Sequence, residues 1–288
     1  MTNSGASTVE TPSGKDADYE NFPVGSWLLP APLRPHIARY YRFARAIDDI
    51  ADNPLLASEE KLERLDGFER AILGQNQAQE GFETGHLMRD SLIQTQVSDR
   101  HCLDLITAFK QDSVKNRYET WQELVDYCLL SAAPVGRYLI DLHGGSQTGY
   151  GASDALCVAL QVINHMQDCK EDYEEMDRVY IPMKWMRDSD IDVTELARPQ
   201  LSEPLRRVID QLVEATDNLM SEARQLPRGL RSRRLAMESQ AIVNIADRLI
   251  RHLRYEDPLA KRVKLSKGAY IWCCLRGVRG AWMARGQA

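Results

Sequence analysis

Two pairs of aspartates, each pair spaced four residues apart, are the residues of this chain best placed to do chemistry. Asp48 and Asp52 close the segment LRPHIARYYRFARAIDDIAD, and Asp168 and Asp172 close ALCVALQVINHMQDCKED. In the first segment Tyr41, Arg45, Asp48 and Asp52 stand at offsets 0, 4, 7 and 11, which a helix gathers on one face. In the second, Gln161, Asn164, His165, Asp168 and Asp172 form a similar stripe on a helix apolar enough to be buried. Carboxylates one turn apart repel each other, and burial raises that cost unless cations neutralise them. Mg²⁺ suits the task, because it takes oxygen ligands and typically binds one or two carboxylates plus substrate phosphates. Two such pairs on facing helices could hold several Mg²⁺ ions around one diphosphate and stabilise charge on it as it departs. A single D-x-x-x-D is usually a solvated helix face. Two of them, each prolonged by polar residues into an apolar helix, point to a site.

Helices must position these stripes, and helical patterns dominate the chain. The spacing predicts helices near 32–52, 58–73, 83–97, 99–115, 119–143, 151–177, 202–226, 231–254 and 267–285, separated by breakers such as Asn53-Pro54, Gly74, Gly144-Gly145, Pro199 and Pro258. No hairpin signal and no fixed-period repeat stands out. The fold class expected is all-α, in one domain with a continuous core. Residues 1–19, rich in Ser, Thr, Gly and acidic side chains, read as a disordered leader, and residues 20–288 as the folded domain.

Composition removes several function classes. The formal net charge of -6 argues against a general nucleic-acid binder, which needs a basic stripe for phosphates. The six cysteines, Cys102, Cys128, Cys157, Cys169, Cys273 and Cys274, form no C-x-x-C, and most sit among apolar residues as small hydrophobes. That usage suits a reducing cytoplasm. No stretch reaches the length of about 18 apolar residues that a spanning helix needs. Nothing matches G-x-G-x-x-G, a P-loop or H-E-x-x-H.

At the aspartate stripes the sequence resembles the squalene/phytoene synthase family over about residues 20–270. YYRFARAIDDIAD is similar to the family's Y-x-x-x-R-x-x-D-D-x-x-D, and LQVINHMQDCKEDYEEMDRVYIP to its Q-x-x-N-x-x-R-D-x-x-x-D followed by R-x-Y. Between them, YCLLSAAPVGRYL resembles a Y-x-x-x-x-A-x-x-V-G segment. The resemblance implies the isoprenoid-synthase fold, a single large helical bundle around a central cavity. It implies that Asp48, Asp52, Asp168 and Asp172 hold Mg²⁺ and diphosphate. Tyr41, Arg45 and Arg178 would contact diphosphate or shape the cavity. Tyr127, Ala132, Val135 and Gly136 would line the prenyl channel opposite Gln161 and Asn164, although Tyr127 reads equally as plain core. Arg262 is either a basic residue reaching the diphosphate or an ordinary surface charge.

Three departures from the pattern matter. Asn21-Phe22 stands where the family has Ser-Phe, Gln167 replaces an arginine, and His165 replaces an aliphatic residue. NFPVGSWLLP with NHMQDCKEDY resembles the bacterial hydroxysqualene synthase branch of hopanoid biosynthesis. That branch implies presqualene diphosphate as substrate, water as final nucleophile and no NADPH, with Asn21 and Phe22 near the substrate. Squalene synthase, phytoene synthase and a silent partner of a related synthase are the competing readings. His165 either holds the nucleophilic water or merely hydrogen-bonds a neighbouring helix. Gln167 points away from Asp168 and is the weaker candidate. The final segment KGAYIWCCLRGVRGAWMAR is either an interfacial helix, giving peripheral contact with the inner face of a membrane, or a core-packed helix with a basic outer face. A second synthase of the same pathway is the other partner envisaged.

Overall fold

The computed structural model describes Val9 and residues 28–75 and 80–283. The expected leader, and with it Asn21 and Phe22, lies outside the described residues apart from Val9. The described chain is helical, with α1 (Arg34–Ala51), α2 (Ser58–Leu73), α3 (Glu83–Thr95), α4 (Arg100–Asp112), α5 (Trp121–Ser131), α6 (Ala133–Leu142), α7 (Tyr150–Gln167), α8 (Cys169–Met176), α9 (Met183–Asp188), α10 (Glu203–Ala223), α11 (Leu226–Gly229), α12 (Arg233–Leu253) and α13 (Lys267–Met283). Among the described residues no strand forms, and one isolated parallel bridge joins Arg117 to Val179.

α7 is the central helix. It buries residues on nearly every side, from Ser153 to Gln167, as a helix apolar all round must. It packs against α5, α6, α10 and α12. α1 begins with Pro35 in its first turn, where the missing N–H is harmless, and buries Ile37, Tyr40, Phe43, Ile47 and Ile50 against α2, α3 and α4. Two glycines allow close helix approaches. A Cβ on Gly136 would lie 2.3 Å from Ser153 Oγ, so only glycine lets α6 approach α7 this closely. A Cβ on Gly277 would lie 2.6 Å from Ala241 Cα, which is how α13 seats on α12.

Two expected helices are divided. The 119–143 helix breaks at Ala132 (φ -121°, ψ -44°), because Pro134 lacks an N–H and is accommodated only in the first turn of a new helix. The 151–177 helix kinks at Asp168 (φ -107°, ψ 8°). Hydrogen bonds still run from the Asp168 and Asp172 amides to the carbonyls one turn back, at 2.9 and 2.8 Å. The kink therefore turns the helix without interrupting it. α9 forms where no helix is expected, directly after Pro182.

Candidate active site

The two stripes line one cavity of about 360 Å³. α1 contributes Ile37, Tyr40, Tyr41, Ala44, Arg45, Asp48 and the following Asp52. α7 contributes Ser153, Leu156, Cys157, Leu160, Gln161, Asn164 and His165, with Asp168 at its end. Each set runs over fifteen helical steps on one face, about 22 Å at 1.5 Å per residue. In both helices the carboxylates come at the C-terminal end and the apolar residues at the other. The cavity is thus a channel with a charged mouth and an apolar interior. Ala132, Val135, Gly136 and Tyr127 from α5 and α6 close one wall, as expected, and Arg178 and Arg262 stand at the mouth.

The mouth is built against helix stability. Asp52 caps the C-terminus of α1, while Asp168 stands at the kink, ending α7 and N-capping α8. Helix C-termini carry partial negative charge and favour cations, so the Asp52 carboxylate is adverse there. Such local conflict is characteristic of a functional site. The chain supplies cations of its own to offset it. Arg45 Nη1 donates to Asp48 Oδ2 at 2.7 Å, and Arg178 Nη1 to Asp52 Oδ1 at 2.8 Å. Arg262 grips Asp168 with both Nε and Nη2, the latter at 2.9 Å from Oδ2. Lys61 Nζ donates to the Ala51 carbonyl at 2.7 Å, capping α1. Arg45, Arg178 and Arg262 thus offset part of the carboxylate charge directly. Arg262 is accordingly no ordinary surface charge.

Gln167 explains how Arg262 gets there. It is fully buried, and its Nε2 donates to the Val263 carbonyl. It therefore fastens the C-terminal segment beside the Asp168 end of α7 and takes no place on the cavity wall. Arg178 is held as firmly. Its amide donates to the Asp172 carbonyl at 3.0 Å, and the Val179 amide to Asn116 O at 2.9 Å, across the one isolated bridge.

Among the described residues no group of three or more His, Cys, Asp or Glu forms a complete metal cage. The four aspartates offer carboxylate oxygens in pairs. That donor set fits Mg²⁺, which draws the rest of its shell from water and phosphate.

Behind the mouth lies a buried polar and aromatic cluster. The His165 ring stacks on Tyr180 with centroids 3.5 Å apart, and Tyr180 is 5.5 Å from both Tyr118 and Tyr127. His165 Nε2 has no hydrogen-bond partner among the described residues. The expected alternative, a bond to a neighbouring helix, is thus absent at that nitrogen. Burial and then the Arg178 charge push the His165 pKa down to about 3, so the ring is neutral at ordinary pH. Tyr127 is both core and lining, and its hydroxyl donates to Asp112 Oδ2 at 2.5 Å. Asp112 also takes a 3.5 Å bond from Tyr180, and its carbonyl accepts from Arg178 Nη2 at 3.3 Å. Burial pushes the Asp112 pKa up to about 7, against the pull of Arg178 and Tyr127.

Asp112, Tyr180 and Glu238 are lining residues with no role assigned from sequence. Asp112 ends an amphipathic helix with no D-x-x-x-D around it. Tyr180 lies in the R-V-Y motif but drew no role. Glu238 sits among polar residues of α12 and reads as surface, yet it is buried in the channel wall.

An all-helical bundle around such a cavity is the isoprenoid-synthase fold, and solved structures share it. A dehydrosqualene synthase in complex with ligand superposes with a TM-score of 0.72 at 19% identity, covering 89% of each chain. The squalene synthase HpnC from Alicyclobacillus acidocaldarius gives a TM-score of 0.70 at 29% identity over 80% of this chain and 86% of that one. The family model for squalene/phytoene synthase matches residues 16–269. A hydroxysqualene synthase of Rhodopseudomonas palustris is 42% identical over 265 residues, 92% of this chain and 90% of its own length. Another, of Sinorhizobium fredii, is 40% identical over 86% of this chain and 84% of its own. The chain belongs to the squalene/phytoene synthase family and is an enzyme of isoprenoid synthesis.

Proposed function

We propose that this enzyme converts presqualene diphosphate and water to hydroxysqualene and diphosphate, without NADPH. The observation that carries the reading is a neutral imidazole nitrogen of His165 without a partner among the described residues, on the wall of a largely apolar channel behind a carboxylate and arginine mouth. The names of the relatives from Rhodopseudomonas palustris and Sinorhizobium fredii agree with it. Arg45, Arg178 and Arg262 bind the diphosphate and orient it outward, leaving the hydrocarbon in the apolar channel. Mg²⁺ held by Asp48, Asp52, Asp168 and Asp172 supplies neutralising charge for the leaving group. The C–O bond breaks, and its electron pair leaves with the diphosphate. The cyclopropylcarbinyl cation rearranges to an allylic cation, shielded by the faces of Tyr41, Tyr127 and Tyr180. A water ordered on His165 Nε2 then forms the new C–O bond, and its proton passes to that nitrogen. A protonated alcohol is a far stronger acid than imidazolium, so even a histidine with a pKa near 3 accepts the proton.

Product analysis tests this directly. Incubation with Mg²⁺ and presqualene diphosphate should give hydroxysqualene with or without NADPH. A squalene product that requires NADPH would establish instead the reductive reading that the HpnC structure's name favours. In His165→Leu, diphosphate release should continue while hydroxysqualene falls about tenfold or more against eliminated or rearranged hydrocarbons. An unchanged product ratio would remove His165 from the mechanism.

We also propose that α13 meets an anionic lipid surface. Among the described residues no helix is long and apolar enough to cross a membrane. α13 packs on α12 through buried Cys273, whose carbonyl accepts from Asn244 at 3.2 Å, so the core-packed alternative holds for that face. Its other face exposes Ile271, Trp272 and Leu275. Arg276 and Arg248 lie over the Trp272 ring at 5.1 and 5.8 Å. Between Arg248 and Arg276 the sequence holds eight Lys and Arg but only two acidic residues, within a chain of net charge -6. The side chains of Arg279, Trp282 and Arg285 lie outside the described residues. Each basic residue near such a surface contributes about 1 kcal/mol. Neutralising Arg276, Arg279 and Arg285 together should weaken co-sedimentation with anionic liposomes about 100-fold. Unaltered binding would refute the surface contact.

A further inference from the structure

At the inner end of the channel stands an acid that the proposed chemistry does not use. Glu238 is 4% exposed and lines the cavity beside Leu235, Ser239 and Ile242 of its own helix and Leu226 and Leu230 of the preceding turn. Its Oε2 has no hydrogen-bond partner among the described residues. Its place is fixed from two sides. Arg231, just before α12, reaches the Gly144 carbonyl beyond the end of α6 at 3.5 Å. Gly136 of α6 abuts Ser153, near the start of α7 and fifteen residues from the aspartate at its end. The start of α12 therefore lies with the apolar end of the channel, opposite the mouth.

A buried carboxyl without a partner is unfavourable, and native proteins seldom keep one without a reason. Burial pushes the Glu238 pKa up to about 8, so at neutral pH the group is an uncharged acid, able both to donate and to accept. It gives the fold no hydrogen bond through Oε2. Its needs are met when a water occupies the end of the channel, and unmet when hydrocarbon displaces that water. A prenyl chain that ends short of Glu238 leaves the water in place. A chain one isoprene unit longer presses methyl groups against an oxygen that has nothing else to bond.

We infer that Glu238 is the inner stop of the prenyl channel, and that its unpartnered carboxyl, rather than its bulk, limits the length of isoprenoid chain the cavity accepts. The inference rests on the reading of this cavity as a prenyl diphosphate site. It makes Glu238 a specificity residue that touches the far end of the chain and not the reacting carbons.

The test uses the full chain in Mg²⁺, with farnesyl and geranylgeranyl S-thiolodiphosphate as unreactive probes of the two lengths, titrated by calorimetry. Wild type should bind the shorter probe more tightly. Glu238→Leu keeps the bulk and removes the polar oxygens, and a buried unpaired acid is one whose loss the fold tolerates. In that variant the affinity for the longer probe relative to the shorter should rise about tenfold or more, equivalent to about 1.4 kcal/mol. Glu238→Gln keeps a polar group of the same shape and should retain the wild-type preference. An unchanged ratio in Glu238→Leu, with both probes still bound, overturns the length stop alone. A gain in Glu238→Gln equal to that in Glu238→Leu overturns it as well. If wild type binds neither probe yet turns over presqualene diphosphate, the length stop falls alone; if it neither binds the probes nor turns over presqualene diphosphate, the prenyl diphosphate reading falls and takes this inference with it.

Discussion

Asp48→Ala and Asp168→Ala will each lower turnover in saturating Mg²⁺ by about 10³-fold or more, and neither will unfold the protein. The loss is large because ionisation of a diphosphate depends on charge placed where the leaving group develops it. Removing a single such stabilising group costs about 10²–10³ in rate. On the proposed mechanism a missing carboxylate does more, since it would weaken the hold on an entire dication. The fold survives for reasons visible at the mouth. The side chains of Asp48 and its partner Arg45 are 25% and 21% exposed, and those of Asp168 and Arg262 are both 20% exposed. Ion pairs this open to water contribute only about 0–1 kcal/mol. Against that loss, each substitution relieves repulsion within a carboxylate pair. In EDTA the melting temperatures should therefore stay close to wild type, while calorimetry shows Mg²⁺ binding reduced. Near-normal activity in either variant would end the assignment of these aspartates.

The mouth of the channel was legible in the sequence because its polar residues interrupt apolar helices at helical spacing. Tyr41, Arg45, Asp48 and Asp52, and Gln161, Asn164, His165, Asp168 and Asp172, all line the cavity. Periodicity alone orders them, since a buried helix has no other use for a polar stripe. Asp112 and Glu238 offered no such contrast. Each belongs to an amphipathic helix whose polar residues are common, and only tertiary packing decides which of them is enclosed. Arg262 was ambiguous for the same reason. It lies in a basic loop, and what commits it to Asp168 is the bond of Gln167 to Val263, a contact between residues 96 positions apart. The division at Ala132 had a local signal in Pro134, whereas the kink at Asp168 had none. Helix propensity runs through LQVINHMQDCKEDYEE without a breaker. That kink nevertheless falls on a carboxylate of the mouth, where a local departure from regular helix serves the site.

Arg178 ties that mouth to the cluster behind it, and Arg178→Ala should have the largest effect on stability of any single change at the site. Its side chain is 7% exposed. It donates to Asp52 at 2.8 Å, to the Tyr180 hydroxyl at 3.3 Å and to the Asp112 carbonyl at 3.3 Å. Removing one partner from a buried charge network typically costs 3–5 kcal/mol, because the opposite charges stay behind. Asp52 is 27% exposed and can be rehydrated. Asp112 cannot, since it is only 4% exposed. The penalty must therefore depend on pH, and its sign follows from Asp112. The folded pKa of about 7 lies above the ordinary carboxylate value, so the stabilising effect of its bound proton is complete only in acid and fades as pH climbs through 7. Arg178 lowers that folded value, so without it the fading extends to higher pH and the total loss grows. At pH 5 both proteins hold a neutral Asp112, and the variant lacks only the Asp52 pair and two hydrogen bonds. At pH 8 the wild type carries the ionised Asp112 beside a guanidinium, whereas the variant has no counter-charge for it. Urea unfolding should show a deficit of about 3 kcal/mol or more at pH 8 and a clearly smaller one at pH 5. Arg178→Lys should recover only part of it, because a point charge cannot meet three acceptors that a planar fork reaches together. An equal deficit at both pH values would mean that Arg178 acts through packing alone, and that Asp112 is not coupled to the mouth.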